Sequence, residues 1–321
     1  MELVDRTPRE IAAEFLEHGA QSLRPDLPDI AGMAPDRIAE LPSLPYGDLA
    51  FSGRLLREQT DITTTDSSRP PSVVARQLAW LRGVMPDWRA GRVLHPLCGP
   101  GHYTAALREH GMTSYVGVDA GPAVVDHARR RFAGRDDTRF LLEDAADTTF
   151  LTADHDTYDT LLLTYDAANF FAPHALRELL GSLVRNLRRG GTAVLDLRLV
   201  EDGAAGFDEG RQVHRRRAGS VFRDGPHLLL SEGFVAAGGA LLGHRIIAVG
   251  DGSGGGPPEV FHSVLHVPTA EQITAHLASA GLEVCVRGRP FAGSADPNLA
   301  RHLVAARKPH TTHRPAPWRQ P

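Results

Sequence analysis

Apolar positions in the first ninety residues recur at helical spacing and are interrupted by prolines. In PREIAAEFLEHG, Ile11, Phe15 and Leu16 share one face and Gly19 stops the run. PSVVARQLAWLRGVM repeats the pattern with Val74, Leu78 and Leu81. The polar stretch EQTDITTTDSSRPP between them predicts a loop or lid hinge. From residue 91 the period changes, and strand-like and helix-like runs alternate. RVLHPL, SYVGVD, TRFLLED, YDTLLLTYD and TAVLDLRL read as strands. HYTAALREHG and PAVVDHARRRFAG read as helices. PHALRELLGSLVRNLRRGG reads as a longer helix, with Leu176, Leu180, Leu183 and Leu187 in phase and a stop at Gly190 and Gly191. This alternation predicts an α/β fold, a doubly wound and mostly parallel sheet with helices on both faces.

The alternation then breaks. HLLLSEGFVAA, ALLGHRIIAVG and EVFHSVLHV are strand-like runs joined by Gly-rich turns, which predicts an inserted antiparallel β meander over about 211–267. PTAEQITAHLASAG returns to helix, with Thr269 and Gln272 spaced as a capping box. LEVCVRGR and RHLVAARK close the pattern as two strands. The expected organisation is a helical N-terminal extension or lid over 1–90, an α/β domain over 91–308 and a disordered tail over 309–321.

Composition narrows the function. The chain has 321 residues with a net charge of -4, which argues against a nucleic-acid partner. VHRRR at 213–217 is expected to be a solvated strand or loop face. Two cysteines, Cys98 and Cys285, cannot build a disulfide framework, and a reducing cytoplasm fits best. No signal-peptide pattern and no apolar run of membrane-spanning length is seen, so no membrane partner is expected. His95 and Cys98 lie three apart, but no second cluster at ligand spacing accompanies them, and no metal is expected.

Four features fall at carboxyl ends of strands, where open α/β sheets bind ligands. VLHPLCGPGHYT is a strand, a small-residue turn with Gly99 and Gly101, and a helix start near His102 and Tyr103. Such a turn lets backbone approach a ligand and presents free N–H groups. Asp119 ends the next strand, where a carboxylate can accept both hydroxyls of a ribose. Glu143 and Asp144 follow the third strand, within reach of an adenine amino group. Tyr165, Asp166 and Asn169 cluster after the fourth. Together they predict a nucleoside-type cofactor site. A dinucleotide fold would want a further glycine where Thr104 stands.

In these motifs the chain resembles the class I S-adenosylmethionine-dependent methyltransferases of small-molecule type. The likeness covers 91–200 and resumes over 268–308. VLHPLCGPGHYT resembles the family's first motif, YVGVDAGPAVVDHARRR the second-strand motif, FLLEDAAD the adenine-contact motif, and YDTLLLTYDAANFF and LRRGGTAVLDL the fourth and fifth strands. The resemblance implies a Rossmann-like sheet of seven strands and S-adenosyl-L-methionine as cofactor. It implies cofactor contacts from His95, Cys98, Gly99, Gly101, Tyr103, Asp119, Asp144 and Tyr165. It places Tyr165, Asp166 and Asn169 as candidate catalytic residues beside the transferred methyl group. Two departures stand out. His95 replaces the acid that helps hold the methionine amino group, and Leu97 replaces the first glycine.

The expected activity is in-line methyl transfer to a small-molecule acceptor, in specialised metabolism. The alternatives are non-methylating chemistry on the same cofactor, by aminobutyryl transfer or cyclisation with release of methylthioadenosine, and a non-catalytic binding protein. His227, Glu232, His244 and His262 on the meander are further candidates for substrate contact, and a homodimer is left open.

Overall fold

The computed structural model describes residues 6–30, 33–148, 151, 157–203, 207–251, 256–299 and 301–310. Among them are nine α-helices and eleven strands, and the strands form two sheets. The larger sheet is built from β1 (Gly91–Pro96), β2 (Met112–Asp119), β3 (Thr138–Leu142), β4 (Tyr158–Leu163), β5 (Leu187–Leu197), β10 (Glu283–Gly288) and β11 (His302–Arg307). Its order is β10-β11-β5-β4-β1-β2-β3. Strands β1 to β5 pair in parallel, and β11 runs antiparallel to both β5 and β10. Order reverses between β1 and β4, the switch point at which such sheets open a crevice at their carboxyl edge.

Helices cover both faces, because the central strands are apolar on both sides. On one face lie α5 (Pro71–Val84), α6 (His102–Glu109) and α7 (Pro122–Arg131). They pack Val74, Leu78, Leu81, Leu107 and Val125 against Val93, Leu162 and Val194. On the other lie α8 (Pro173–Asn186) and α9 (Ala270–Ser279), whose Leu176, Leu180, Leu183, Ile273 and Leu277 meet Leu94, Leu161 and Leu195. The capping box at Thr269 and Gln272 starts α9 as its spacing predicts. The helix from Pro173 ends at Asn186, earlier than the glycine pair suggests, and Leu187 already begins β5.

The insertion is a four-stranded antiparallel sheet of β6 (Gly210–Arg216), β7 (His227–Ala236), β8 (Leu241–Gly250) and β9 (Glu259–His266). VHRRR, expected as a solvated face, falls mostly within β6, an edge strand. Helix α1 (Pro8–His18) sits on this sheet. Its Ile11 and Phe15 join Leu228, Leu230, Ile247 and Val249, while Leu16, expected on the same face, is half exposed. The short helices α2 (Ala20–Leu23) and α3 (Pro35–Ala39) extend this cover, with Leu23 and Ile38 buried. Helix α4 (Leu49–Gln59) instead packs on α7. The described N-terminal residues thus serve three surfaces: α1 to α3 the small sheet, α4 the helix α7, α5 the large sheet. Tail residues 311–321 lie outside the described residues.

Candidate cofactor and active site

At the end of β1 the chain turns sharply. Leu97, Gly99 and Gly101 all adopt positive φ, of 54°, 57° and 79°. At Gly101 a Cβ would strike Phe132 at 2.9 Å and Phe140 at 3.1 Å, so space and conformation both call for glycine there. Leu97 adopts the left-handed conformation without that freedom, at about 1–2 kcal/mol. Its side chain packs against the α8-side core, which offsets part of that cost.

Asp119 ends β2 facing this turn. One carboxylate oxygen accepts the Gly99 N–H at 2.9 Å and the other accepts the Gly121 N–H at 2.9 Å. Burial pushes its pKa up and these two donors pull it down. Each oxygen keeps a lone pair for a further donor. Asp144 is exposed beyond β3, and its carboxylate accepts the Ala146 N–H at 2.9 Å.

His95 does not reach out of the turn. It is 1% exposed, with Nδ1 2.9 Å from the Tyr115 hydroxyl and Nε2 3.0 Å from the Thr164 hydroxyl. Burial pushes its pKa down to about 3, so the ring is neutral. Tyr103 also turns inward: its ring meets His95 edge-on at 5.2 Å and its hydroxyl donates to Gln77 Oε1 at 2.5 Å. The Cys98 thiol is buried against the Gly99 carbonyl. Of the candidate contacts at this turn, Gly99, Gly101 and Asp119 come together at the sheet edge. His95 and Tyr103 stand beneath them.

The end of β4 is equally constrained. Tyr165 and Asp166 both have φ of 58°. The Asp166 N–H donates to the Asp196 carbonyl at 2.9 Å, and the Tyr165 N–H reaches the Asp196 carboxylate at 3.3 Å. Arg69 inserts from the polar loop after α4, binding that carboxylate at 3.1 Å and stacking its guanidinium 4.9 Å from the Tyr165 ring centroid. Both members of the Arg69–Asp196 pair are nearly inaccessible to solvent. Arg301 clamps both oxygens of Asp166, at 2.8 and 2.7 Å. Burial raises the Tyr165 phenol, which stays protonated and donates to the Thr65 carbonyl at 2.7 Å. Asn169 is fully buried. Its amide nitrogen donates to the Arg198 and His266 carbonyls and its oxygen accepts the Arg198 N–H. Asp166 and Asn169 therefore frame the turn, and Tyr165 is the one of the three that is partly exposed.

An aromatic group adjoins this edge. Tyr46 meets Phe51 at 6.0 Å and Phe170 at 6.2 Å, and Phe51 meets Phe222 and Phe261. Burial, with the Asp119 charge, raises the Tyr46 phenol. The meander residues behave differently. Glu232 binds Arg245, which also approaches His262, and Glu232 caps the Ala20 N–H under α2. His227 is spent on Ser220 and the Gly225 carbonyl. His244 stacks on Phe207 at 4.4 Å. Arg69, Thr65 and Gln59 were not singled out from sequence. They sit in loops or on a short helix, and their partners lie far away along the chain.

Residues 93–191 match the family model described as a methyltransferase domain. That segment is similar to methyltransferase domains. A curated relative, demethylmenaquinone methyltransferase of Clavibacter sepedonicus, is 33% identical over 104 residues, which are 32% of this chain. That match spans 40% of the relative's own length. Among solved structures, the CcbJ methyltransferase from Streptomyces caelestis has a TM-score of 0.58 at 16% identity, covering 81% of this chain and 98% of that one. An amino pentose methyltransferase from Micromonospora echinaspora, solved with S-adenosylmethionine bound, has a TM-score of 0.50 at 22% identity, covering 73% of this chain and 89% of that one. These likenesses confirm the Rossmann-like fold.

S-adenosylmethionine is the cofactor that the likeness implies, and the residues at this edge fit it. The Asp119 carboxylate is preorganised by two backbone donors, and Gly99 puts no side chain between the turn and the groups packed against it. Among the described residues no group of three or more His, Cys, Asp or Glu could hold a metal ion, and no helix is long and apolar enough to cross a membrane.

Proposed function

We propose that the protein is an S-adenosylmethionine-dependent methyltransferase acting on a small molecule of specialised metabolism. The observation that carries this reading is Asp119, held by the Gly99 and Gly121 N–H groups at the carboxyl edge of the sheet. That arrangement suits a ribose diol, with Asp144 at the adenine side. When bound, S-adenosylmethionine supplies an electrophilic methyl group for in-line displacement. The chain's own task is then to orient the acceptor and exclude water. Tyr165, partly exposed and fixed in its turn by Arg69 and Asp196, would orient the acceptor. Tyr46 and Phe170 would provide an apolar wall beside it. Asp166 and Asn169 would hold the turn. The involvement of the Micromonospora enzyme in calicheamicin biosynthesis is in keeping with a small-molecule acceptor.

A second reading keeps the cofactor and transfers its aminobutyryl portion. The neutral, buried His95 and the strained Leu97 favour it, since both alter the methionine side of the turn. Calorimetric titration with S-adenosylmethionine, S-adenosylhomocysteine and NAD tests the cofactor, and micromolar binding of the first two alone is expected. Product analysis then separates the reactions. S-adenosylhomocysteine marks methyl transfer, and methylthioadenosine marks the second reading. Silence from all three ligands refutes both.

A further inference from the structure

We propose that Gln59 takes the place that His95 leaves open, its side-chain carbonyl accepting the ammonium of the cofactor's methionine portion. This rests on the cofactor reading above. His95 cannot serve: both ring nitrogens face hydroxyls inside the sheet and the ring is neutral. Asp119 already accepts one backbone N–H on each oxygen, at the ribose end. Gln59 ends α4, and its amide lies against the cofactor turn. A Cβ added at Gly99 would stand 3.8 Å from Nε2 and 3.9 Å from Oε1. That oxygen is enclosed and has no hydrogen-bond partner among the described residues. A buried acceptor left without a donor is costly, so a site of this kind is built for one.

The residue is also held in register. His102 Nε2, at the first position of α6, donates to the Gln59 carbonyl at 2.8 Å, so α4 ends directly on the helix that follows the turn. One residue earlier, Glu58 accepts the Val221 N–H at 3.1 Å and the Ser67 hydroxyl at 2.8 Å. The amide therefore arrives over Gly99 on a backbone anchored on both sides. A neutral carbonyl attracts an ammonium less strongly than a carboxylate does, but the contact is directional and shielded from water.

The test is calorimetry with two ligands, S-adenosylhomocysteine and its analogue lacking the amino group, on wild type, Gln59→Leu and Gln59→Glu. Thermal melts confirm that each variant is folded. Gln59→Leu should weaken S-adenosylhomocysteine about tenfold and leave the desamino analogue within about twofold. Gln59→Glu should tighten the first ligand relative to the second, because the acceptor gains a charge. Equal weakening of both ligands by Gln59→Leu would overturn the proposal and assign Gln59 to shaping the turn. No effect on either would overturn it as well. Wild type that binds neither ligand would refute the cofactor reading itself, a result distinct from both.

Discussion

Lowering the pH should destabilise this protein through His95. Its ordinary pKa is 6.5 and burial pushes it down to about 3, so the folded state holds the ring neutral where the unfolded chain protonates it. The sign follows: stability is complete above pH 6.5 and is lost as pH falls from there toward 3. At pH 5 the unfolded chain is about 1.5 pH units below its own pKa, and each unit is worth about 1.4 kcal/mol, so the loss is roughly 2 kcal/mol. Other histidines add to the slope, among them His262, pushed down to about 4 by burial and by Arg245. The His95→Asn variant isolates the term. Urea unfolding of both proteins at pH 7.5 and pH 5 should show the stability gap between them shrinking by about 2 kcal/mol at the lower pH. Parallel losses, with a constant gap, would refute the assignment of His95 as a buried neutral ring.

Three further outcomes follow from the same edge. Asp119→Asn should weaken S-adenosylhomocysteine by roughly 10- to 150-fold in calorimetry, since hydrogen bonds to a charged group are worth about 1.5–3 kcal/mol; unchanged affinity would remove Asp119 from the site. At Leu97, with φ of 54°, the glycine variant should be more stable than the alanine variant by about 1 kcal/mol, the reverse of the usual ranking, measured by thermal melts. Arg69→Met should cost about 3–5 kcal/mol in urea unfolding by stranding the Asp196 carboxylate, and Arg69→Met with Asp196→Asn should recover more than half of it.

What was legible in the sequence follows from period and from chemistry at strand ends. The alternating runs gave the parallel core, and Asp119 could be read from its place after YVGVD. Local patterns do not encode where a long side chain ends up. Arg69 is one arginine in a polar loop, and its partner Asp196 is 127 residues away. Gln59 is the polar last residue of α4, and only the fold brings it over Gly99. β6 was left open as a solvated strand or loop face, because an edge strand with exposed arginines lacks an apolar stripe. The helix end at Asn186 was misread because Gly190, at φ 74°, lies inside β5 rather than capping α8. Leu16 is exposed because α1 meets a sheet, and the contact stripe narrows to Ile11 and Phe15.

Both strand ends that face the site turn through left-handed residues that are not glycine: Leu97 after β1, and Tyr165 with Asp166 after β4. Each such residue costs about 1–2 kcal/mol, and it persists only where the surroundings over-determine it. At β4 the determinants are visible. Asp196 receives both N–H groups of the turn, Arg301 grips Asp166, and Arg69 covers the Tyr165 ring. A glycine would satisfy the backbone more cheaply but could not carry a phenol. The buried ion pairs are therefore best understood as the means of keeping an aromatic side chain at a position the backbone disfavours. That explains why two pairs of buried charges, which seldom add net stability, are concentrated at this one edge. It also explains why the polar loop after α4 must reach the sheet at all. Without Arg69 the frame lacks the cation that balances Asp196, and the Tyr165 turn loses the contact that holds its strain.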